Sequence, residues 1–388
     1  MNLSAVHGAT GLPETAVGTK VALFLPALSG GGAERVMLHI ASGLADNGLS
    51  VDLVLARAEG PYMTHIPSTV RLVDLKARQT LFSLPALTAY LKAERPVALL
   101  SALDHANVVA AVAVRRSRAP VRLLMSIHNT LSVSHANAKS WKDKVLPACL
   151  RMVHPWVDAI IAVSKGVADD FSNMTQIPRE RVSVINNPVV GNDLLTQAAA
   201  PLDHKWFAAG EPPVIVSVGR LTEQKDFGNL LRAFAKAREK RAIRLLILGD
   251  GPDRQSLTDL AGELGISDDI EMPGFVENPY SYMAKAGAFV LSSRWEGLPT
   301  VLIEAMASGA PVVSTDCPSG PREILQDGRY GVLVPVGDSN ALADGIVRML
   351  SEDREDVRPP DESWAAYRRD VGVNNYMHAM LGTKVAAQ

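Results

Sequence analysis

The sequence predicts an α/β protein made of two doubly wound domains in series, each built on a parallel sheet. Three observations carry this. A chain of 388 residues is longer than one hydrophobic core commonly supports. Short, continuously apolar runs alternate with amphipathic stretches, the mark of strands covered on both faces. That alternation stops at INNPVVGNDLL, residues 185–195, and then begins again.

The first set of buried strands reads as VALFLP (21–26), VDLVLA (51–56), VRLVDL (70–75), VALLSA (97–102), VRLLMSI (121–127) and AIIAVS (159–164). Helical patterns lie between most of them. Residues 33–45 are one, with Val36, Met37, Ile40 and Leu44 on one face. The second set reads as VIVSVG (214–219), RLLILG (244–249), DIEMPG (269–274), AFVLSS (288–293), PVVST (311–315) and GVLVP (331–335). An N-terminal Rossmann-like domain is therefore expected over 19–190 and a second over 211–355. The Asn187-Pro188 step and the Pro-, Ala- and Gly-bearing stretch that follows place the linker at 191–210. Residues 1–18 lack the basic start and apolar stretch of a signal peptide and are expected to form a disordered leader. A tail spans 356–388.

Composition narrows the function classes. Apolar content of 47% and charged content of 21% are ordinary globular values. No apolar run approaches the ~18 residues a spanning helix needs. Two cysteines, Cys149 and Cys317, make neither a disulfide framework nor a zinc site, which suits a reducing cytoplasm. The net charge of −2 divides unevenly: residues 1–195 carry +5 and residues 196–388 carry −7. The basic first half suits an anionic or membrane-borne partner as well as it suits an uneven solvated surface. No histidine pair has zinc-like spacing and no Asp-x-Asp motif is present, so metal dependence is not expected. A nucleic-acid partner is not expected either.

The segment SSRWEGLPTVLIEAMASGAPVVST, residues 292–315, concentrates the chemistry. It reads as a strand end, a Gly/Pro loop, a short helix and another strand. Pro299 suits the first turn of that helix, where its missing N–H costs nothing. The N–H groups of Leu298, Thr300 and Val301 then point out of the helix start, which is suited to a phosphate. Glu296 lies in the loop and Glu304 about one turn inside the helix. One acid reaches a sugar hydroxyl beside the phosphate and the other a ribose diol, so the pattern suits a nucleotide-sugar.

Other polar groups fall at the carboxyl ends of strands, where open α/β sheets bind ligands. SGGGAER, 29–35, follows the first strand and is either a ligand loop or a tight turn. It lacks the pattern of a dinucleotide fingerprint. Arg220 and Lys225, after the first strand of the second domain, are placed to hold the phosphates of a leaving nucleoside diphosphate. His128 closes the strand VRLLMSI and faces either chemistry or a structural role.

These residues together resemble family 4 of the retaining glycosyltransferases. GGAER, SIHN, INNPV, VGRLTEQKD, LILGDGP, PGFVENPYSYMAKA, LSSRWEGLPTVLIEAMASGAPVVSTDCPSGPREIL and GVLVPVGD are similar to its ordered landmarks, over roughly residues 20–350. The resemblance implies a GT-B fold, two Rossmann-like domains facing an interdomain cleft. It implies that Arg220 and Lys225 neutralise the donor diphosphate, that Glu304 holds the ribose and that Glu296 holds ring hydroxyls of the sugar. Gly297, Leu298, Pro299 and Thr300 would close around sugar and phosphate, while Phe275 and Val276 frame the base. Gly31 and Gly32 would approach the donor from the first domain. His128 would contact the sugar or steady the positive charge developing at its anomeric carbon. Retention without an enzyme nucleophile would follow from front-face attack, with Glu296 positioning rather than acting as a base. The tail would cross back to brace the first domain.

The resemblance to bacterial surface-polysaccharide and lipid-linked oligosaccharide enzymes implies a UDP-sugar donor, carrying a hexose or N-acetylhexosamine, and a saccharide or polyprenyl-linked acceptor. The stretch 138–158 combines Lys139, Lys142, Lys144 and Arg151 with Trp141, Leu146, Leu150 and Trp156. It reads either as an amphipathic helix on an anionic membrane or as a helix packed on its own domain, and Pro147 and Pro155 interrupt it. A nucleotide-sugar 2-epimerase and a non-catalytic nucleotide-sugar-binding subunit are the alternative readings.

Overall fold

The computed structural model describes residues 17–137, 141–351 and 354–383. Among the described residues the twelve apolar runs become strands, and a thirteenth, Val182–Val184, joins them. The first seven are β1 (Lys20–Leu25), β2 (Ser50–Leu55), β3 (Val70–Asp74), β4 (Ala98–Ala102), β5 (Arg122–Ile127), β6 (Ala159–Ala162) and β7 (Val182–Val184). They form one sheet in the order β3-β2-β1-β4-β5-β6-β7. The other six are β8 (Val214–Val218), β9 (Arg244–Leu248), β10 (Ile270–Gly274), β11 (Ala288–Leu291), β12 (Val312–Thr315) and β13 (Val332–Val334). Their order is β10-β9-β8-β11-β12-β13. The described pairings are parallel in both sheets. The order reverses direction beside β1 and again beside β8, and such a reversal is where a ligand crevice opens.

The chain divides into two compact units. One takes residues up to Ser126, Ala148–Ile160 and the chain from Val373 on; the other takes Ile127–Pro147 and Ile161–Gly372. In the first, β1 is buried from Val21 to Leu25. Helix Gly32–Asp46 buries Val36, Met37, Ile40 and Leu44, the face its spacing predicts. Helix Arg369–Leu381 sends Tyr376 into this core, its hydroxyl 3.3 Å from Ser126 Oγ. The Arg122 guanidinium donates to the Ala379 carbonyl at 2.9 Å. In the second unit, helix Phe227–Lys240 buries Phe227, Leu230 and Phe234 against Ile215, Leu245, Ile247 and Val290. Each large apolar side chain so buried is worth about 1.5–3 kcal/mol.

Four expectations change. Strand β7 is only three residues long, too short for its apolar pattern to stand out from the Asn-Pro stretch after it. Strand β3 is not buried on both faces. It is the sheet's edge, pairing with β2, and Leu72 is exposed. Pro299 is the residue before its helix rather than the first within it. Its ψ of 93° is extended, and the helix runs Thr300–Ala307. In the 138–158 stretch a helix spans Trp141–Val153 with Pro147 inside it and ends before Pro155. Leu146 and Leu150 are buried, so they belong to the core and not to a membrane face. The side chains of Lys139, Trp141 and Lys142 lie outside the described residues, as do residues 1–16.

Candidate active site

In the second unit the loops after β8 and β11 meet, because those strands are neighbours in the sheet. The first loop carries Arg220 and a short 3-10 turn, Glu223–Lys225. The second is residues 292–299. Lys225 Nζ donates to Glu296 Oε1 at 2.6 Å, with both side chains largely buried. Ser293 Oγ donates to the same oxygen at 2.6 Å and is wholly buried. One carboxylate oxygen is thus held by an ammonium and a hydroxyl, a charge-assisted arrangement of the strong kind.

The loops are also bound through their backbones. Arg294 N–H donates to the Gln224 carbonyl at 2.8 Å, and Gln224 Nε2 to the Trp295 carbonyl at 3.0 Å. Ser292 Oγ donates to the Lys225 carbonyl at 2.7 Å. Arg294 Nε adds a bond to Asp226 Oδ2 at 2.9 Å. Asp226 takes a left-handed φ of 47° and caps the helix that follows. Gly219 packs tightly under the lysine: a Cβ there would lie 3.2 Å from Lys225 Cε and press on its stem. The absence of that Cβ lets the lysine stem lie across the strand end.

Residues after β5 and β6 brace Glu296 and Gly297 from another direction. Thr130 Oγ1 donates to the Glu296 carbonyl at 2.7 Å, and Ser164 Oγ to the Gly297 carbonyl at 3.0 Å. Gly297 is packed so closely that a Cβ would fall 2.0 Å from the His128 carbonyl oxygen. His128 itself is buried, and that burial pushes its imidazole down to about 4. The ring is therefore neutral near pH 7. Cys317, after β12, is buried as well. Burial first, then the charge of Glu296, pushes its thiol up to about 12, with Lys225 acting in the opposite sense.

The predicted residues thus sort as follows. Lys225, Glu296, Gly297 and the main chain of His128 come together directly. Leu298 and Pro299 are buried in the same loop, and Thr300 opens the helix. Glu304 stands on that helix only 2% exposed, its carbonyl accepting from Ser308 Oγ at 2.8 Å. Arg220 is exposed at the end of β8, with no ion pair to its guanidinium among the described residues. Phe275 is 81% exposed just after β10 and Val276 is half-buried beside it. Gly31 and Gly32 belong to the other unit, at the carboxyl end of β1. There the N–H of Gly31 donates to the carboxylate of Glu34, a buried residue of its own helix. Desolvation raises the Glu34 pKa, while the bonds from Gly31 and other backbone groups oppose the rise.

Sequence reasoning missed Ser293, Thr130, Ser164 and Cys317. The first three act as hydroxyl donors to a carboxylate or to carbonyls, and nothing in their local sequence distinguishes them from other serines and threonines. Among the described residues, no group of three or more His, Cys, Asp or Glu side chains is arranged to hold a metal ion, and no helix is long and apolar enough to cross a membrane.

Two family models match the chain. The model of Glycosyltransferase Family 4 matches residues 30–190, and that of Glycosyl transferases group 1 matches 201–369. A Campylobacter jejuni relative is N-acetylgalactosamine-N,N'-diacetylbacillosaminyl-diphospho-undecaprenol 4-alpha-N-acetylgalactosaminyltransferase. It is 32% identical over 254 residues, which are 65% of this chain and 66% of that one. The lipopolysaccharide core biosynthesis glycosyltransferase LpsE of Rhizobium meliloti is 27% identical over 322 residues, 83% of this chain and 86% of LpsE. Among solved structures, Anabaena HepE in complex with UDP superposes with a TM-score of 0.76 at 21% identity, covering 94% of this chain and 99% of HepE. The apo form of WaaB, a lipopolysaccharide outer core galactosyltransferase, gives a TM-score of 0.71 at 21% identity over 94% of this chain and 99% of its own.

Proposed function

The chain belongs to glycosyltransferase family 4 and has the GT-B fold, and we propose that its donor is a UDP-sugar and its acceptor a saccharide or polyprenyl-linked saccharide. As a family member it is a retaining glycosyltransferase, similar to enzymes of lipopolysaccharide and other surface glycans. The sugar in this reading is a hexose or N-acetylhexosamine. The observation that carries it is the Lys225–Glu296 pair, 2.6 Å apart across the strands where the second sheet reverses direction.

An ammonium has three donors. One is spent on Glu296, which leaves two for the donor diphosphate. Arg220 supplies a second cation, and the start of helix Thr300–Ala307 supplies backbone N–H groups. With Oε1 of Glu296 held by Lys225 and Ser293, its other oxygen is left to accept from ring hydroxyls of the sugar. Glu304 takes the ribose hydroxyls. The bond from the anomeric carbon to phosphate breaks, the departing phosphate takes the proton of the acceptor hydroxyl, and the acceptor oxygen bonds on the face the phosphate leaves. A neutral His128 adds no positive charge against the cation developing at that carbon. Two protein cations neutralise the leaving group, so the reading requires no metal. HepE, solved with UDP, supports the choice of base, and the Campylobacter relative, named for a diphospho-undecaprenol-linked substrate, supports a lipid-linked acceptor. A cytoplasmic enzyme in peripheral contact with a membrane fits both.

Calorimetry against UDP, GDP and ADP, with a chelator present, tests the reading. UDP should bind, and Glu304→Ala and Arg220→Ala should each weaken it. Preference for another base, or binding only after metal is added, would overturn the donor assignment.

A further inference from the structure

A shallow polar cavity, wide open to solvent, lies in the first unit at the carboxyl ends of β2 and β3. It has a volume of about 420 Å³ and is lined by Arg57, Ala58, Glu59, Asp74, Lys76, Ala77 and Arg78. Its wall adjoins the glycine loop after β1. A Cβ on Gly60 would lie 2.0 Å from the Leu28 carbonyl oxygen, and Leu28 N–H donates to the Glu59 carbonyl at 2.9 Å. The cavity therefore opens at the carboxyl ends of the outer strands β2 and β3, to one side of the point where the strand order reverses.

The charges in it are unequally committed. Arg57 pairs with Glu59 at 2.8 Å. Asp74 Oδ1 accepts the backbone N–H of Ala58 at 3.1 Å and of Lys76 at 2.9 Å, which fixes the loop. Lys76 and Arg78 are exposed, and neither side chain has an ion-pair or hydrogen-bond partner among the described residues. Lys76 also holds a left-handed φ of 52°, a costly conformation for a lysine, with its own N–H donating to Asp74. Directly after these cations come two large apolar side chains that pack against little: Leu81 is 58% exposed and Phe82 is 63% exposed.

We propose that this surface docks the protein on an anionic lipid membrane, with a lipid phosphate held in the cavity by Lys76 and Arg78 and with Leu81 and Phe82 entering the acyl region. Unpaired cations alone would suit any anion. Exposed Leu and Phe beside them select a phosphate that comes with hydrocarbon, because apolar burial and headgroup attraction then act together. The inference rests on the reading of a membrane-borne acceptor only for what the surface is for. Vesicle binding is measured without donor or turnover.

The test is co-sedimentation with vesicles of phosphatidylcholine, with and without phosphatidylglycerol, alongside UDP calorimetry on each variant. The wild type should bind only the anionic vesicles. Lys76→Ala/Arg78→Ala should weaken that binding by roughly tenfold or more, and Leu81→Ser/Phe82→Ser should weaken it comparably. Lys76→Arg/Arg78→Lys should retain it, and every variant should keep the UDP affinity of the wild type. Wild-type protein that ignores anionic vesicles, or a double-alanine variant that binds as well as wild type, would overturn the proposal. So would vesicle binding abolished by Met152→Ser/Trp156→Ser alone, since those exposed residues lie on the outward face of the 138–158 stretch. Tight binding of inorganic pyrophosphate in solution, unaffected by Leu81→Ser/Phe82→Ser vesicle loss, would make the cavity a free-anion site instead. Absence of UDP binding in the wild type would count against the donor reading and leave the vesicle result standing.

Discussion

The two sheets reverse strand order at corresponding points, β1 beside β4 and β8 beside β11, yet the loops there are put to different uses. After β8, charge meets charge: Lys225 reaches Glu296 from a loop 71 residues away, and hydroxyls from three further positions fix the acid's carboxylate, its carbonyl and the carbonyl of Gly297. After β1 the glycine-rich loop satisfies itself, the Gly31 N–H going to Glu34 three residues on. Topology supplies two equivalent crevices. The side chains in the loops decide that one gathers opposed charges while the other offers backbone and little charge.

The sharpest break of that contrast is removal of the pair. Lys225→Ala should lower kcat by roughly 10²–10³-fold, as loss of one preorganised donor does elsewhere, with a smaller effect on nucleotide affinity because its partner charge grows as the bond breaks. Glu296→Ala should fall as far. Since the two touch, the double variant should be little worse than either single one. Additive losses in steady-state kinetics would mean that the residues work separately and that the pair is incidental.

Next in size is Gly297→Ala. The added Cβ would meet the His128 carbonyl oxygen at 2.0 Å, a backbone atom that cannot rotate away. The loop must shift, at a cost of about 1–3 kcal/mol in overpacking, and Glu296 is the residue before it. Both melting temperature and turnover should drop. Normal turnover at reduced stability would show that the acid's position is set by Lys225 and Ser293 and not by the close backbone contact.

A pH titration sharpens the comparison further. Burial holds His128 at about 4 against an ordinary value of 6.5. Between those values the unfolded chain binds the extra proton and the folded chain does not. Stability should therefore fall as pH drops from about 6.5 towards about 4, with a slope of up to about 1.4 kcal/mol per pH unit from this group. Denaturant titrations of wild type and His128→Gln should differ by that slope. Parallel curves would mean that the imidazole is solvated.

Much of this was legible beforehand, for identifiable reasons. Strands such as β1 and β9 are uninterrupted apolar runs because both their faces are covered, so pattern alone finds them. Glu296, Lys225 and His128 stand at strand ends, and the Gly-Leu-Pro after Glu296 announces a loop entering a helix. The ion pair itself is not legible in the sequence: the resemblance relates Lys225 to the diphosphate and Glu296 to the sugar, and only the adjacency of β8 and β11 brings them together. Thr130 and Ser164 were out of reach because a hydroxyl donating to a distant carbonyl leaves no periodicity. For Leu146 and Leu150 the sequence leaves a membrane face and a core face open, because an amphipathic helix presents the same spacing whether its apolar side meets lipid or its own core.

The smallest expected effect falls on the other side of the contrast, at Glu34. Desolvation holds its pKa above 4.5, outweighing the backbone bonds from Gly31 and its neighbours. A folded-state value above the unfolded one means that its contribution to stability is fully present below about 4.5 and is lost as pH rises through the folded value. Glu34→Gln keeps an acceptor for the Gly31 N–H and carries no charge, so its stability should no longer decline over that rise. Glu34→Ala removes the acceptor and should cost about 0.5–2 kcal/mol, the range of a lost helix cap. Neither should approach the kinetic damage of Lys225→Ala. If Glu34→Ala cut turnover by a comparable factor while the protein stayed folded, the glycine loop would be a charge site in its own right. The two crevices would then differ in which charges they use and not in whether they use them.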